Sequence, residues 1–234
     1  MPAALKPAPP PYLRAALRHL RRADPVLAEL IGQIGRYRMV RRPERFESLV
    51  RSIIFQQLAG RAAQTIYDRF AKFFPGPRFP TPLQVLAAEQ DALRSVGLSR
   101  QKLLYILDLA RHVADDRLNF RRFARMDDEE IIIDLTRVMG IGRWTAEMFL
   151  MFNLGRPDVL PVGDLGVRNA VFKAYRLKHP PTPVELRELG ERWRPYRSVA
   201  VWYLWQSTRL ILPDGKPTPT PRPIKRRKRT PPPS

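Results

Sequence analysis

A chain of 234 residues, 44% of them hydrophobic, can bury a real core in one medium domain or two small ones, which excludes a disordered chain. Its 42 Lys+Arg against 22 Asp+Glu leave a net charge of +20, a self-repelling excess that points to a polyanionic partner, nucleic acid first. With no cysteine, disulfides, thiolate zinc sites, iron–sulfur clusters and cysteine nucleophiles are excluded together.

Residues Met1 to Pro11, rich in Pro and Ala, are expected to form a mobile N-terminus. They lack the apolar segment of a secretory signal, so an intracellular, cytoplasmic protein is expected. Phe46, Leu49, Val50, Ile53 and Ile54 then fall on one face of a helix. Ile66, Phe70 and Phe73 continue a second, stopped by the Pro-Gly-Pro at 75–77. Pro82 suits a helix start. After the Gly97-Leu98-Ser99 turn, Leu103, Leu107, Ala110 and the pair His112-Val113 mark another helix, with Ser99 as its N-cap. Asp127 caps the following segment, whose early acids suit the positive end of the helix dipole. Pro183 opens a helix through Trp193, and Pro195 opens the last one, from Tyr196 to about Leu210. Strand signals are confined to the short Met39-Val40 and Val159-Leu160 stretches, so the expectation is an all-helical globule. From Pro213 to Ser234 a Pro/Thr spacer surrounds the basic run Lys225 to Arg229. That tail reads equally as an electrostatic tether to phosphates or as a solvated extension. His19, His112 and His179 are widely spaced and carry no metal-ligand pattern. No long apolar run or amphipathic basic anchor supports a membrane partner.

The segment from Leu135 to Ala146 carries the most information. One helix runs into Gly140-Ile141-Gly142 and another begins at about Arg143. Two glycines permit left-handed backbone angles for a tight reversal, and leave no side chain to keep a phosphate from the N–H groups of the second helix. Arg143 adds a charge there. Further on, Val159 to Asn169 places Asp164 at the start of a helix after an apolar loop. An Asp there is an ordinary N-cap. The same geometry also suits a catalytic carboxylate, held by donors and the helix dipole in an apolar setting.

Taken with SLVRSIIFQQLAGRAAQTI, VGLSRQKLLYI and ERWRPYRSVAVWYLW, the stretches VMGIGRWTAEMFLMF and DVLPVGDLGVRNAV resemble the DNA glycosylase superfamily that joins a helix-hairpin-helix to a Gly/Pro-rich loop and an Asp. Within it the chain is most similar to the bacterial DNA-3-methyladenine glycosylase II, or AlkA, type, over roughly Asp24 to Leu210. The resemblance implies an all-α, two-lobed helical bundle with its active cleft between the lobes. The glycosylase domain is expected over 12–212 and the basic tail over 213–234, without the N-terminal β domain of some relatives. It places the catalytic Asp on Asp164 and the DNA-gripping turn on Gly140, Ile141 and Gly142. It also implies backbone contacts to DNA around Arg143 and Thr145. The wedge that fills the gap left by a flipped base falls in Gln56-Gln57-Leu58, where Gln57 aligns best and Leu58 is the better apolar plug. Arg61, Ser99, Arg100 and Lys102 are candidate phosphate contacts.

The base pocket is implied at Trp144, Met148 and Tyr196, where aromatic faces suit a cationic base. Met148 stands where the family has a tyrosine, and Trp144 stands where bifunctional relatives carry the lysine that attacks the sugar. No cofactor is required. Backbone carbonyls of Thr136, Val138 and Ile141 match those that hold a structural Na+ or K+ in relatives. The implied activity is hydrolytic excision of alkylated purines from double-stranded DNA by a monofunctional enzyme, acting as a monomer at the nucleoid. Two alternatives stay open: a glycosylase for other lesions such as hypoxanthine or etheno bases, and a non-catalytic helix-hairpin-helix module.

Overall fold

The computed structural model describes residues 9–209. The expected mobile N-terminus up to residue 8, the basic tail over 213–234 and the end of the last helix at Leu210 lie outside the described residues. Among the described residues there is no strand, and Met39-Val40 and Val159-Leu160 run as connecting chain.

Seven of the described α-helices start at a residue whose side chain accepts a backbone N–H of the first turn. Asp24 caps α2 (Pro25–Ile34) after α1 (Leu13–Ala23) ends. The apolar stripe expected near residue 50 forms α3 (Arg45–Phe55), with Leu49, Val50, Ile53 and Ile54 buried. α4 (Gly60–Phe73) buries Phe70, but Phe73 is 38% exposed. The chain leaves the helix at that point, and Phe74, in extended conformation, turns inward instead while Phe73 packs edge-on against it. Thr81 and Gln84 form a reciprocal capping box at α5 (Pro82–Ala87), followed by the short α6 (Gln90–Ser95). Ser99 caps α7 (Arg100–Ala114), and Asp127 with Glu130 makes a second capping box at α8 (Asp128–Thr136). α9 (Arg143–Phe149) continues into a wider helical turn over Leu150–Leu154. α10 (Leu165–Ala174) follows the apolar loop. α11 (Pro183–Gly190) ends earlier than expected, and a tight helical turn carries the chain to Trp193. The last helix, α12, spans Arg197–Ser207 and leaves Tyr196 outside it as the N-cap.

These helices sort into two lobes. α1, α2, α10 and α12 pack together, so both ends of the described chain share one lobe. α3 to α9 form the other, with α7 against α3 and α5, and α9 against α8 and α3. Buried Asp24 ties the first lobe together. Its carboxylate accepts the N–H groups of Val26 and Leu27, the Tyr175 hydroxyl and the Trp193 indole N–H at 2.9 Å. Removing it strands the buried Trp193 donor and the half-buried Tyr175 hydroxyl and loses a helix cap at once. Asp24→Ala is therefore expected to lower unfolding free energy by about 3–5 kcal/mol, read from urea unfolding curves, whereas an effect below about 1 kcal/mol would show the knot is dispensable.

Candidate active site

Between the lobes lies a cavity of about 840 Å³. The connection from α2 to α3 contributes Arg38, Met39, Val40 and Arg42. α3 contributes Arg51 and Phe55, α9 contributes Trp144, Thr145, Met148 and Phe149, and Phe152 and Trp202 complete an aromatic wall. Gln56 and Gln57 stand at its mouth.

Asp164 sits beside this cavity as the N-cap of α10 and is 9% exposed. One carboxylate oxygen accepts the Val167 N–H at 2.7 Å and the Trp205 indole N–H at 3.1 Å. The other accepts the Trp144 indole N–H at 2.6 Å. The N-cap expected of this residue is present, and its second oxygen is bound by the indole of a residue that lines the cavity. Three fixed donors set its orientation, and a carboxylate held this way does not need to reorganise when positive charge develops nearby.

The hairpin between α8 and α9 uses its two glycines differently. Gly140 has φ of 80°, and a Cβ there would lie 2.1 Å from the Tyr105 ring. Gly142 is in extended conformation at the N-cap of α9, with no neighbour within 4 Å of a built Cβ. So only Gly140 needs the left-handed region; Gly142 leaves the approach to the helix N-terminus clear. Ile141 between them is buried and anchors the turn in the core.

The remaining sequence candidates divide. Met148 and Thr145 line the cavity, and Thr145 is buried there. Leu58, Arg61, Ser99 and Arg100 lie exposed on the surface, and Gln57 adopts a φ of 54° at the tip of its loop. Arg143 reaches solvent but is clasped by Glu129 through two contacts of 2.7 Å and by Glu147 at 3.2 Å. Burial pushes the Glu147 carboxyl above its ordinary range despite Arg143, while Arg143 pulls that of exposed Glu129 down. Lys102 is half-buried with its ammonium on backbone carbonyls and does not line the cavity.

Tyr196 is not brought to the cavity. It stacks on Tyr12, meets His19 edge-on and lines a separate cleft with Arg18 and Arg22. The residue that sequence reasoning missed is Trp205, further along α12, which stacks on Phe152 and reaches Asp164. A tryptophan in an apolar helix still needs an acceptor for its indole N–H, and that requirement was the available signal.

The carbonyls of Thr136, Val138 and Ile141 lie at the C-terminal end of α8 and in the turn, where helix carbonyls lose their internal partners. The Val138 carbonyl accepts one bond, from the Ile141 N–H, and keeps a second lone pair. An all-oxygen donor set of this kind fits a hard monovalent cation. Among the described residues no cluster of His, Cys, Asp or Glu could hold a metal ion. Nor is any described helix long and apolar enough to cross a membrane.

Residues 50–195 match the HhH-GPD family, described as superfamily base excision DNA repair protein. The chain is 35% identical over 185 residues to DNA-3-methyladenine glycosylase 1 of Schizosaccharomyces pombe, covering 79% of this chain and 81% of that protein. It is similar to the solved structure of a DNA-3-methyladenine glycosidase from Bacillus halodurans, with 36% identity, a TM-score of 0.77 and coverage of 82% and 88% of the two chains. A Schizosaccharomyces pombe 3-methyladenine DNA glycosylase in complex with abasic DNA is also similar, with 34% identity, a TM-score of 0.74 and coverage of 84% and 97%. With a family match over more than half of its length and a relative at 35% identity, the chain belongs to the HhH-GPD superfamily of base excision DNA repair proteins.

Proposed function

We propose that this protein is a monofunctional DNA glycosylase that flips alkylated purines, of the 3-methyladenine type, out of double-stranded DNA and hydrolyses their N-glycosidic bond. The observation that carries the reading is Asp164, fixed by three N–H donors beside a cavity walled by aromatic rings. A base inside a duplex is out of reach of any side chain, so the nucleotide must leave the stack first. Leu58 or Gln57 fills the gap, and the hairpin N–H groups hold the backbone.

Alkylation at a ring nitrogen makes the purine a cation and a good leaving group. As the bond from C1′ to the base breaks, its electron pair goes to the base, which departs neutral. Positive charge then builds on the sugar, and the Asp164 carboxylate stabilises it. The same carboxylate orients a water toward C1′; the water's oxygen forms the new bond, its proton passes to the Asp164 carboxylate and from there to solvent, and an abasic site remains. Trp144 and Phe152 offer π-faces to the cationic base, worth about 0.5–2 kcal/mol per contact. Trp144 carries no amine, so no Schiff base forms with the sugar and the strand stays intact. A monovalent cation on the carbonyls of Thr136, Val138 and Ile141 would add positive charge to the hairpin's grip on a phosphate. On this reading the protein works as a monomer in the cytoplasm, at the nucleoid, without a membrane partner.

A second reading is favoured by one observation. Arg38, Arg42 and Arg51 also line the cavity, and their charges oppose a cationic base while offering donors to a carbonyl edge. That favours neutral lesions such as hypoxanthine. Duplexes with single defined lesions separate the two. Release of alkylated purines, with strand breaks only after alkali and no adduct trapped by borohydride, is expected. Release of hypoxanthine alone would establish the second reading, and binding without release of any base would reduce the protein to a DNA-binding module.

A further inference from the structure

We propose that α7 is a strut that sets the separation of the wedge loop from the hairpin, with Lys102 as its positioning residue. Three side chains of this one helix, spaced a turn apart, reach both DNA-facing loops. The Lys102 ammonium donates to the Ile54 carbonyl at 2.7 Å and to the Gln56 carbonyl at 2.8 Å, where α3 ends and the wedge loop begins. The Tyr105 ring occupies the space that any side chain at residue 140 would need. The Asp108 carboxylate accepts the Met139 N–H at 2.8 Å, in the hairpin itself. Gln56 closes the frame, donating from its side-chain amide to the Gly140 carbonyl at 2.7 Å.

The chemistry of each contact is of a holding kind. A cation on the last carbonyls of a helix satisfies groups that have no internal partner and opposes the negative end of the dipole. Burial also pushes the Lys102 amine below its ordinary value, as expected for a charge withdrawn from solvent. With its donors committed to Ile54 and Gln56, Lys102 does not serve as a phosphate contact. Gln56 is spent in the same way. Immediately after them, Gln57 holds a left-handed φ of 54° without being glycine. Such a conformation persists only where the surroundings over-determine it, and the pinned carbonyls on its N-terminal side do that.

The consequence is specific to duplex substrates, and it rests on the glycosylase reading above. A wedge must enter one base step while the hairpin holds a phosphate a fixed distance away, so a small error in their spacing is costly. A single-stranded lesion needs no wedge. Lys102→Met keeps the apolar stem and removes the donors; Lys102→Arg restores charge and donors. Single-turnover excision by Lys102→Met is expected to fall about tenfold on duplex DNA and less than about twofold on the same lesion in single-stranded DNA, with recovery in Lys102→Arg. The slope of log affinity against log salt is expected to stay at the wild-type value. A slope smaller by about one would make Lys102 a phosphate contact and overturn the proposal. Equal losses on both substrates, or none on duplex DNA, would also overturn it. Fluorescence of a 2-aminopurine beside the lesion reads base unstacking without excision. It therefore tests the strut even if the wild-type protein releases no base, a result that would sink the glycosylase reading alone.

Discussion

Asp164→Asn is expected to reduce base excision about a thousandfold, equivalent to ~4 kcal/mol of transition-state stabilisation, while the fold and the affinity for undamaged duplex are kept. The choice of asparagine follows from the geometry. Alanine would remove the cap of α10 along with the charge, costing about 1 kcal/mol of stability and confusing the result, whereas asparagine caps a helix as well as aspartate does. One oxygen of Asp164 takes two donors, from Val167 and Trp205, so the amide oxygen of the variant is expected on that side. Its NH2 group then confronts the Trp144 indole N–H, donor against donor, in place of the present 2.6 Å bond. The variant thus loses the negative charge and releases the indole, but it strands no donor in the core. Single-turnover assays, melting curves and binding to undamaged DNA read the three terms separately. Equal base release by variant and wild type would show that the carboxylate is only a helix cap.

The parts of this site that could be read from the sequence are those whose chemistry is local. Gly140 and Gly142 between two helical patterns, and an aspartate at a helix start after an apolar loop, carry their structural reason within a few residues. Ser99, Asp127 and Pro183 mark helix starts on the same ground. What could not be read depends on contacts distant along the chain. Tyr196 points at α1 because it stacks on Tyr12, and because Arg197 beside it is clamped to Asp158 at 2.8 Å. Nothing within a helical turn of Tyr196 reports either partner. Trp205 lies in a nearly uniformly apolar helix, where no periodic face distinguishes a core residue from one that reaches a carboxylate. Lys102 and Arg143 show the corresponding limit for charge. In a chain with a net charge of +20 every arginine and lysine is a candidate phosphate contact, and only the fold shows one capping α3 and the other clasped by Glu129.

The two hairpin glycines are expected to fail in opposite ways when given a methyl group. At residue 140 the backbone φ of 80° alone costs an alanine about 1–2 kcal/mol. The new Cβ would also sit 2.1 to 2.5 Å from three ring atoms of Tyr105, whose hydroxyl is held by Gln101 at 2.6 Å. Relieving that overlap forces the ring or the turn to move, at a further cost of about 1–3 kcal/mol. The turn cannot shift alone, since its carbonyl is bonded to Gln56 and the neighbouring Met139 N–H to Asp108. Gly140→Ala is therefore expected to destabilise the protein by about 2–5 kcal/mol and to weaken DNA binding through a displaced hairpin. Gly142 has an ordinary φ of −89° and clear space around it, so Gly142→Ala is expected to change stability by less than about 0.5 kcal/mol. Its methyl group projects instead into the approach to the N-terminus of α9, where a phosphate would meet backbone N–H groups, and duplex affinity is expected to fall about tenfold. Urea unfolding and salt-titrated binding of both variants test the assignment. Full DNA affinity in Gly142→Ala would remove the hairpin face from the DNA contact, and wild-type stability in Gly140→Ala would show that the Tyr105 contact yields freely.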